Sequence, residues 1–537
     1  MPGGAVRKCC APLLRGLGFA LVLSLLLPSL ASAQASSPVQ AQAGGPVYTL
    51  AAVAYQIEGL LLEFALDKYL GMQSGLAFRN LAALEDYIAE KDRLLKNNRV
   101  FEEESFVAWE PAPELGKGAV RVLVYAKTGW SALAVPFPKY SDAAGFSLAV
   151  RYKDYNFLGT LETLSLAFDY FVTDTELSLL AEFGLLPEFL GSTWNLGLSG
   201  ALSYKDSRGL AWPDISTSLA TSYPLTFIGR DWSLVPVLSY GYEQLYDRHN
   251  VKVGATLAYS FGTLVRWSAG LSTEYALAKA TGFSHGWNSR VGLSTGTALA
   301  SLPYFGALSL APSTSLYTAY NLGTALLDDA GWTSGASLGF SRVDWTGNLR
   351  KGASLSASSA YTLHFIVPAP TDLYDWATTV STSAFYSWAG LFGINFQAVG
   401  RWEGTWTLLG EANGNFNYAD RVRGLKTASF GDLGYFYNLE LPVNLAQGRF
   451  LNAEKLSSEV FFVPFIDGGY IRPGPQAKFL AKADMVFCGG FELVIFPDYA
   501  RAFTYRLSVG YDLGDYLTTK DFEADKLEIW LGLGLHF

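Results

Sequence analysis

The residues of this chain best placed to act together are a cation and a carboxylate. Arg423 lies in Asp420-Arg421-Val422-Arg423-Gly424-Leu425, on a turn that Gly424 allows to pass through positive φ. Asp467 follows one hairpin later in Phe465-Ile466-Asp467-Gly468-Gly469, between an aromatic residue and a glycine pair that lets a loop lie close to the strand. Enclosed in a narrow pore, Arg423 and Asp467 are drawn together, because removing either one leaves a desolvated charge unpaired. That chemistry is a fastening rather than a reaction. Two strings, Gly292-Leu293-Ser294-Thr295-Gly296 and Gly335-Ala336-Ser337-Leu338-Gly339, spell the GxSxG of a hydrolase. A nucleophile elbow needs a strand-to-helix turn, and both strings lie in alternating, strand-like sequence. His249, His285, His364 and His536 are scattered, with no ligand spacing for a metal. The reading is of a protein that is not an enzyme, with no metal and no cofactor.

The elements that must position such a pair follow from composition. Arg7, Lys8 and Arg15 precede the apolar run Leu17 to Leu30, and Ala31-Ser32-Ala33 offers a cleavage site, so residues 1–33 read as a signal peptide. Cys9 and Cys10 fall within it, which leaves Cys488 without a disulfide partner in the mature chain. Losing three basic residues takes the net charge from −9 to −12, which argues against nucleic acid as a partner. Charged residues are 16% and aromatics 15%, unlike a large soluble domain. Beyond the signal there is no apolar run of the ~20 residues that a spanning helix requires. A chain this apolar must bury its hydrophobic face in another way, and a closed barrel in lipid does so.

Residues 34–46 are small and polar and read as a flexible leader. Residues 47–128 form a small α+β domain: a strand over Tyr48 to Glu58, a helix over Leu60 to Leu70, and a second helix capped by Asn80. Strands over Val100 to Glu110 and Ala119 to Lys127 complete it. Residues 129–140, with Pro136 and Pro138, read as a stiff linker. From 141 to 537 period-2 alternation dominates. Phe146, Leu148, Val150 and Tyr152 oppose Ser147, Ala149, Arg151 and Lys153, and Ile529, Leu531, Leu533, Leu535 and Phe537 oppose Glu528, Trp530, Gly532, Gly534 and His536. Apolar-out, small-or-polar-in strands rich in Tyr, Trp and Phe predict a transmembrane β-barrel.

Several of these marks together resemble the outer-membrane insertase and secretion-pore superfamily typified by BamA, TamA and FhaC. Val422-Arg423-Gly424-Leu425 is similar to its VRGF-like tip on a loop folded into the barrel, with Leu425 replacing the usual aromatic residue. Phe465, Asp467 and Gly469 match the FxDxG-like strand that receives the tip. Asp154, Asn156 and Gly159 resemble its DxNxxG first hairpin, and Phe537 resembles the C-terminal signal read by the assembly machinery. The β-α-α-β-β order at 47–128, with Gly75 between the helices, looks like a single POTRA domain. The resemblance implies sixteen antiparallel strands in an outer membrane, with the POTRA domain in the periplasm. It implies insertion or translocation of client polypeptides, received as extended strands, with lipid and with periplasmic chaperones or accessory proteins as further partners. The alternative is a passive channel or structural surface barrel.

Overall fold

The computed structural model describes residues 48–533 except 142–144, 172–175, 186–187, 190–191, 206–208, 222, 228–229, 244–247, 262–266, 280–282, 303–304, 323, 325, 367–373, 389, 406–415, 418–420, 426–429, 450–456, 474–476 and 524–525. The signal peptide, the leader, His536 and Phe537 lie outside the described residues. The chain gathers into two compact units. One takes residues up to Val53, Gln73–Ala89 and Trp109–Val122; the other takes Ala54–Met72, Glu90–Ala108 and Leu123–Phe537.

The N-terminal α+β segment has strands in the order Ala77–Phe78, Tyr48–Glu58, Ala119–Lys127, Phe106–Pro111. Two of the predicted strands, Tyr48–Glu58 and Ala119–Lys127, occur at their expected bounds. The strand expected from Val100 shortens to Phe106–Pro111, because Glu102 to Ser105 close a turn through the Ser105 N–H to the Glu102 carbonyl, 3.1 Å. The first helix, Glu63–Leu70, buries Ala65, Leu66 and Leu70 and leaves Leu62 and Tyr69 outside. The second, Leu81–Asn97, is capped by Asn80, whose Oδ1 accepts from the Ala83 N–H at 2.9 Å.

The remainder is a closed antiparallel barrel. Its wall is written in twenty-four strand segments, but four short ones share a neighbour with the segment beside them, so the wall has twenty positions among the described residues. The expected sixteen strands are therefore too few. The reason is economy in the turns: only Gly347 and Asn348 separate the strands Leu326–Thr346 and Leu349–His364, so each span needs about 20 residues rather than about 25.

Residues 129–140 are also corrected. Ala132–Ser141 is a wall strand, paired to Gly145–Asp154 on one side and closing the barrel against Glu528–Leu533 on the other. Its prolines misled the reading, and hydrogen-bond parity explains why they are tolerated. The Tyr155 N–H donates to the Ser131 carbonyl at 2.9 Å, in the register that sets Ala132 opposite Asp154. Odd-numbered residues thus direct their N–H groups at Gly145–Asp154 and even-numbered ones direct theirs away. Pro136 and Pro138 lack donors only on the side that meets the last strand, as in an edge strand.

The wall is inside out relative to a soluble protein. Leu238, Val253, Leu271, Val291, Leu316, Ile466, Phe491 and Ile529 are exposed, while Asn395, Glu440, Asp467, Glu492 and Arg506 are buried. On Ser457–Arg472 the inward residues are layered. Phe461 and Val463 join an apolar cluster with Leu349, Val494 and Phe496, then come Phe465 and Asp467, and Ile471 joins a second cluster.

Within the larger unit, Arg99 lies 4.4 Å over the Trp345 ring and 5.4 Å from that of Phe496. It donates to the Arg501 carbonyl and, at 2.6 Å, to Asn348 Oδ1. Nearby, Arg93 and Asn97 donate to Asp344 at 2.5 and 2.7 Å. Burial and the neighbouring Arg501 pull the Arg99 guanidinium down to about 10, so it stays charged at neutral pH. Urea unfolding in detergent is expected to show Arg99→Ala less stable by about 2–4 kcal/mol, through lost cation–π contact and unpaired acceptors. Lys96→Ala, which removes only the exposed pair with Asp92, is expected to cost less than about 0.5 kcal/mol.

Candidate functional site

The site is built where the tip of the loop preceding Leu433–Glu440 meets the strands Ser457–Arg472, Met485–Pro497, Tyr505–Asp512 and Glu528–Leu533. At its centre Arg423 is buried. The Arg423 Nε and backbone N–H both donate to Asp467 Oδ2, at 2.8 and 2.9 Å, and Nη2 donates to Oδ1 at 2.7 Å. Nη1 reaches Glu440 Oε1 at 2.7 Å and Glu492 Oε1 at 3.0 Å. The guanidinium carbon stands 3.7 Å from the centre of the Phe465 ring. A forked, planar cation thus meets a carboxylate along two edges while an aromatic face covers it.

Three carboxylates around one guanidinium would leave excess negative charge in a buried place, and two further arginines answer it. Arg506 Nη1 lies 3.3 Å from Glu492 Oε1, with its guanidinium 4.1 Å over the Trp530 ring. Arg350, over the Phe385 ring at 4.1 Å, lines a small cavity with Glu440 and Glu492. Asn395 Nδ2 occupies the second oxygen of Glu440 at 3.0 Å.

The tip is held by its backbone as well. Gly424 has φ +88° and its N–H donates to Glu528 Oε2 on the last wall strand, while the Arg421 carbonyl accepts from Asn438 Nδ2 at 2.7 Å. Val422 and Leu425 flank the cation and pack with Phe436, Ile471 and Cys488. At the base of the same loop Arg472 makes a second buried ion pair, its Nε donating to Asp432 Oδ1 at 2.9 Å and its Nη2 to Oδ2. The loop is anchored at tip and base.

Val422, Arg423, Gly424 and Leu425 therefore lie together against Phe465 and Asp467, and Gly469 lies one pair further along the same strand. One expectation changes. The Gly468 position is covered by the ring of Tyr437 from the neighbouring strand, since a Cβ there would lie 2.6 Å from its hydroxyl, and not by the loop. Close approach of the tip is permitted instead by Gly510, where a Cβ would stand 2.8 Å from the Gly424 nitrogen. Sequence reasoning missed Gly510, Glu492, Arg506 and Glu528. The available signal was lumenal parity: Glu492 is an inward, ionisable residue on a strand whose other inward positions are small or apolar, and Arg506 is inward on the next strand.

The first-hairpin residues form a separate constellation. Asp154 Oδ1 accepts from Ser131 Oγ at 2.8 Å and from the Asn156 N–H at 2.9 Å, and Asn156 Oδ1 accepts from the Leu161 N–H at 2.9 Å. Asn156 Nδ2 donates to the Leu60 carbonyl, and the Leu62 N–H donates to the Gly159 carbonyl at 2.8 Å. Gly159, at φ +76°, sits so close to Leu61 and Leu62 that a Cβ would press on their backbone. The hairpin turn thus grips the chain just ahead of the first helix. Ser294 and Ser337 stand inside strands, and among the described residues no group of His, Cys, Asp and Glu side chains is arranged to hold a metal ion.

No family model matches the sequence, and no curated protein matches it. Solved structures do. CdiB from Acinetobacter baumannii is 14% identical, over 86% of this chain and 70% of that one, with a TM-score of 0.38. CdiB from Escherichia coli is 11% identical over 97% of each chain, also at 0.38. BamA from Haemophilus ducreyi, lacking POTRA domains 1–3, is 11% identical over 90% of this chain and 83% of that one, at 0.28. Similarity at this level carries no activity from those proteins to this one.

Arg423→Ala leaves Asp467, Glu440 and Glu492 facing an empty centre, and thermal or urea unfolding is expected to register a loss of about 3–5 kcal/mol. Lys426→Ala, a cation just outside the motif, is expected to cost well under half of that. Equal losses would mean that Arg423 is not the fastening.

Proposed function

We propose that this chain is an outer-membrane barrel of the BamA-like superfamily, with one POTRA domain at 47–128, that inserts or translocates polypeptide. The observation that carries the reading is the buried Arg423, held by Asp467 within a barrel whose outward face is apolar. A soluble protein would not present Leu316, Ile466 and Ile529 to water on the wall that buries Glu440, Asp467 and Glu492. Lipid is the medium that suits both faces.

The arrangement does no bond-making chemistry. Asp467, Glu440 and Glu492 are engaged by guanidinium or amide groups, and the Cys488 thiol opposite Asp467 is buried in the apolar cluster with Val422 and Leu425. What it can do is hold a loop tip in the lumen, tied at once to the receiving strand and to the last strand. In this reading the POTRA domain receives an extended client and passes it to the barrel, with periplasmic chaperones or accessory proteins upstream. Arg423, Asp467, Glu440 and Glu492 keep the tip placed while the client passes. Asp154, Asn156 and Gly159 fix the first hairpin against the segment at Leu60–Leu62. No nucleotide or redox cofactor is required.

Depletion of the protein in its host, compared with a strain expressing a version that lacks residues 47–128, tests the proposal. Both are expected to lose particular barrels or secreted proteins from the outer-membrane proteome. An unchanged proteome, with small-solute uptake falling only on depletion, would make the protein a passive channel.

A further inference from the structure

The lumen carries a second set of ionisable side chains, remote from the loop tip in the wall. Tyr317, Asp329, His364 and Asp375 stand on four successive strands, Gly306–Asn321, Leu326–Thr346, Leu349–His364 and Tyr374–Trp388. Register puts them on one face. Tyr317 opposes Gly331, which opposes His364; Asp329 opposes Ala319, and Asp375 opposes Thr362. That face is the inward one, because Leu316, of opposite parity to Tyr317, is exposed outside. All four lie toward the same ends of their strands, away from the Gly347–Asn348 turn.

Their contacts make a chain. His364 Nε2 is 2.9 Å from Asp375 Oδ2, and Nδ1 is 3.2 Å from Asp329 Oδ1 and 2.9 Å from the Tyr317 hydroxyl. The Tyr317 hydroxyl donates to Asp329 Oδ2 at 3.1 Å. Gly331 makes the reach possible, since a Cβ there would lie 2.7 Å from the Tyr317 oxygen. Arg290 adds a cation to the same face, its guanidinium 5.9 Å from the Tyr317 ring, whereas the phenols Tyr361 and Tyr374 have the opposite parity and face outward. Arg290 shares a recess with Glu274 and Tyr317.

Proton counting decides what this arrangement demands. A doubly protonated imidazole donates to Asp329 from Nδ1 and to Asp375 from Nε2, leaving the Tyr317 hydroxyl free to donate to Asp329. A neutral imidazole has one N–H. If Nε2 keeps it, Tyr317 must choose between Nδ1 and Asp329; if Nδ1 keeps it, a bare Nε2 lone pair faces Asp375. Either way the imidazole can donate to only one of the two carboxylates.

We propose that His364 is a proton-operated clamp on this end of the barrel, joining Asp329 and Asp375 on the strands to either side when charged and releasing one of them when neutral. The charged clamp holds at low pH and is lost as pH rises through the imidazole titration, the sign expected for a cation stabilised by its partners. The Phe365 N–H, which donates to the Ala330 carbonyl at 2.6 Å just beyond the clamp, is the hydrogen bond best placed to report it.

Amide hydrogen exchange on the full-length protein in lipid nanodiscs tests this, with rates corrected for intrinsic pH dependence. Protection in peptides covering 326–332 and 361–366 is expected to fall at least ~3-fold between about pH 5 and about pH 9, while the strand Ser457–Arg472 stays unchanged. His364→Gln is expected to abolish the pH dependence, and Asp375→Asn, should the glutamine variant misfold, to move its midpoint to lower pH. Protection independent of pH, a change shared by Ser457–Arg472, persistence of the effect in His364→Gln, or an unmoved midpoint in Asp375→Asn would each overturn the clamp.

Discussion

The structure turns on the cost of placing one guanidinium where water does not reach. Once Arg423 is buried, its five N–H groups need acceptors, and no single strand can supply them. Asp467 takes one edge, Glu440 and Glu492 take what remains, and those residues come from three adjacent wall strands. Three carboxylates then need more than one cation, which draws in Arg506 and Arg350. Each added charge turns a polar residue of its own strand inward, so the lumenal face holds a charged layer between two apolar clusters. The outer face of those strands carries apolar residues without ionisable partners, as Ile466, Phe491 and Ile529 show. The same demand thus fixes both the interior chemistry and the solvent that the exterior requires.

Much of this was legible in the sequence, and what was not has a physical reason. Alternation fixed the facing of the last strand, where Glu528 and Trp530 turn inward and Ile529 and Leu531 outward. Arg423 and Asp467 stood out because glycine turns and aromatic neighbours mark them locally. Glu492, Arg506 and Glu528 have no such local mark. Their relation to the loop is created by strand register, which links residues as far apart as Gly424 and Glu528. The first wall strand was lost to a rule that treats proline as a breaker. The rule is sound for a donor that would be used, but Pro136 and Pro138 fall on the parity that faces only the closing strand. Strand number was carried over from the resemblance, because two-residue turns are hard to see where Gly and Ser fill the lumenal face and the sequence alone demands only many strands.

Sharing of partners makes the site behave as a unit. Glu492 serves Arg423 and Arg506, Glu440 serves Arg423 and Asn395, and Asp467 takes both the side chain and the backbone of Arg423. Withdrawing the tip cannot therefore break one contact and leave the rest. It would strand three carboxylates and expose the pocket in which Val422 and Leu425 pack on Cys488. Energies of such coupled groups do not add, and intermediate placements leave charges unpaired in a medium of low polarity. A partly withdrawn tip is therefore the least favourable placement. Seating also engages Glu528 on the strand that closes the barrel, opposite a partner that lacks two donors. The loop tip consequently reinforces from within the part of the wall where the backbone has fewest hydrogen bonds to offer, and the fastening and the closure of the barrel rise or fall together.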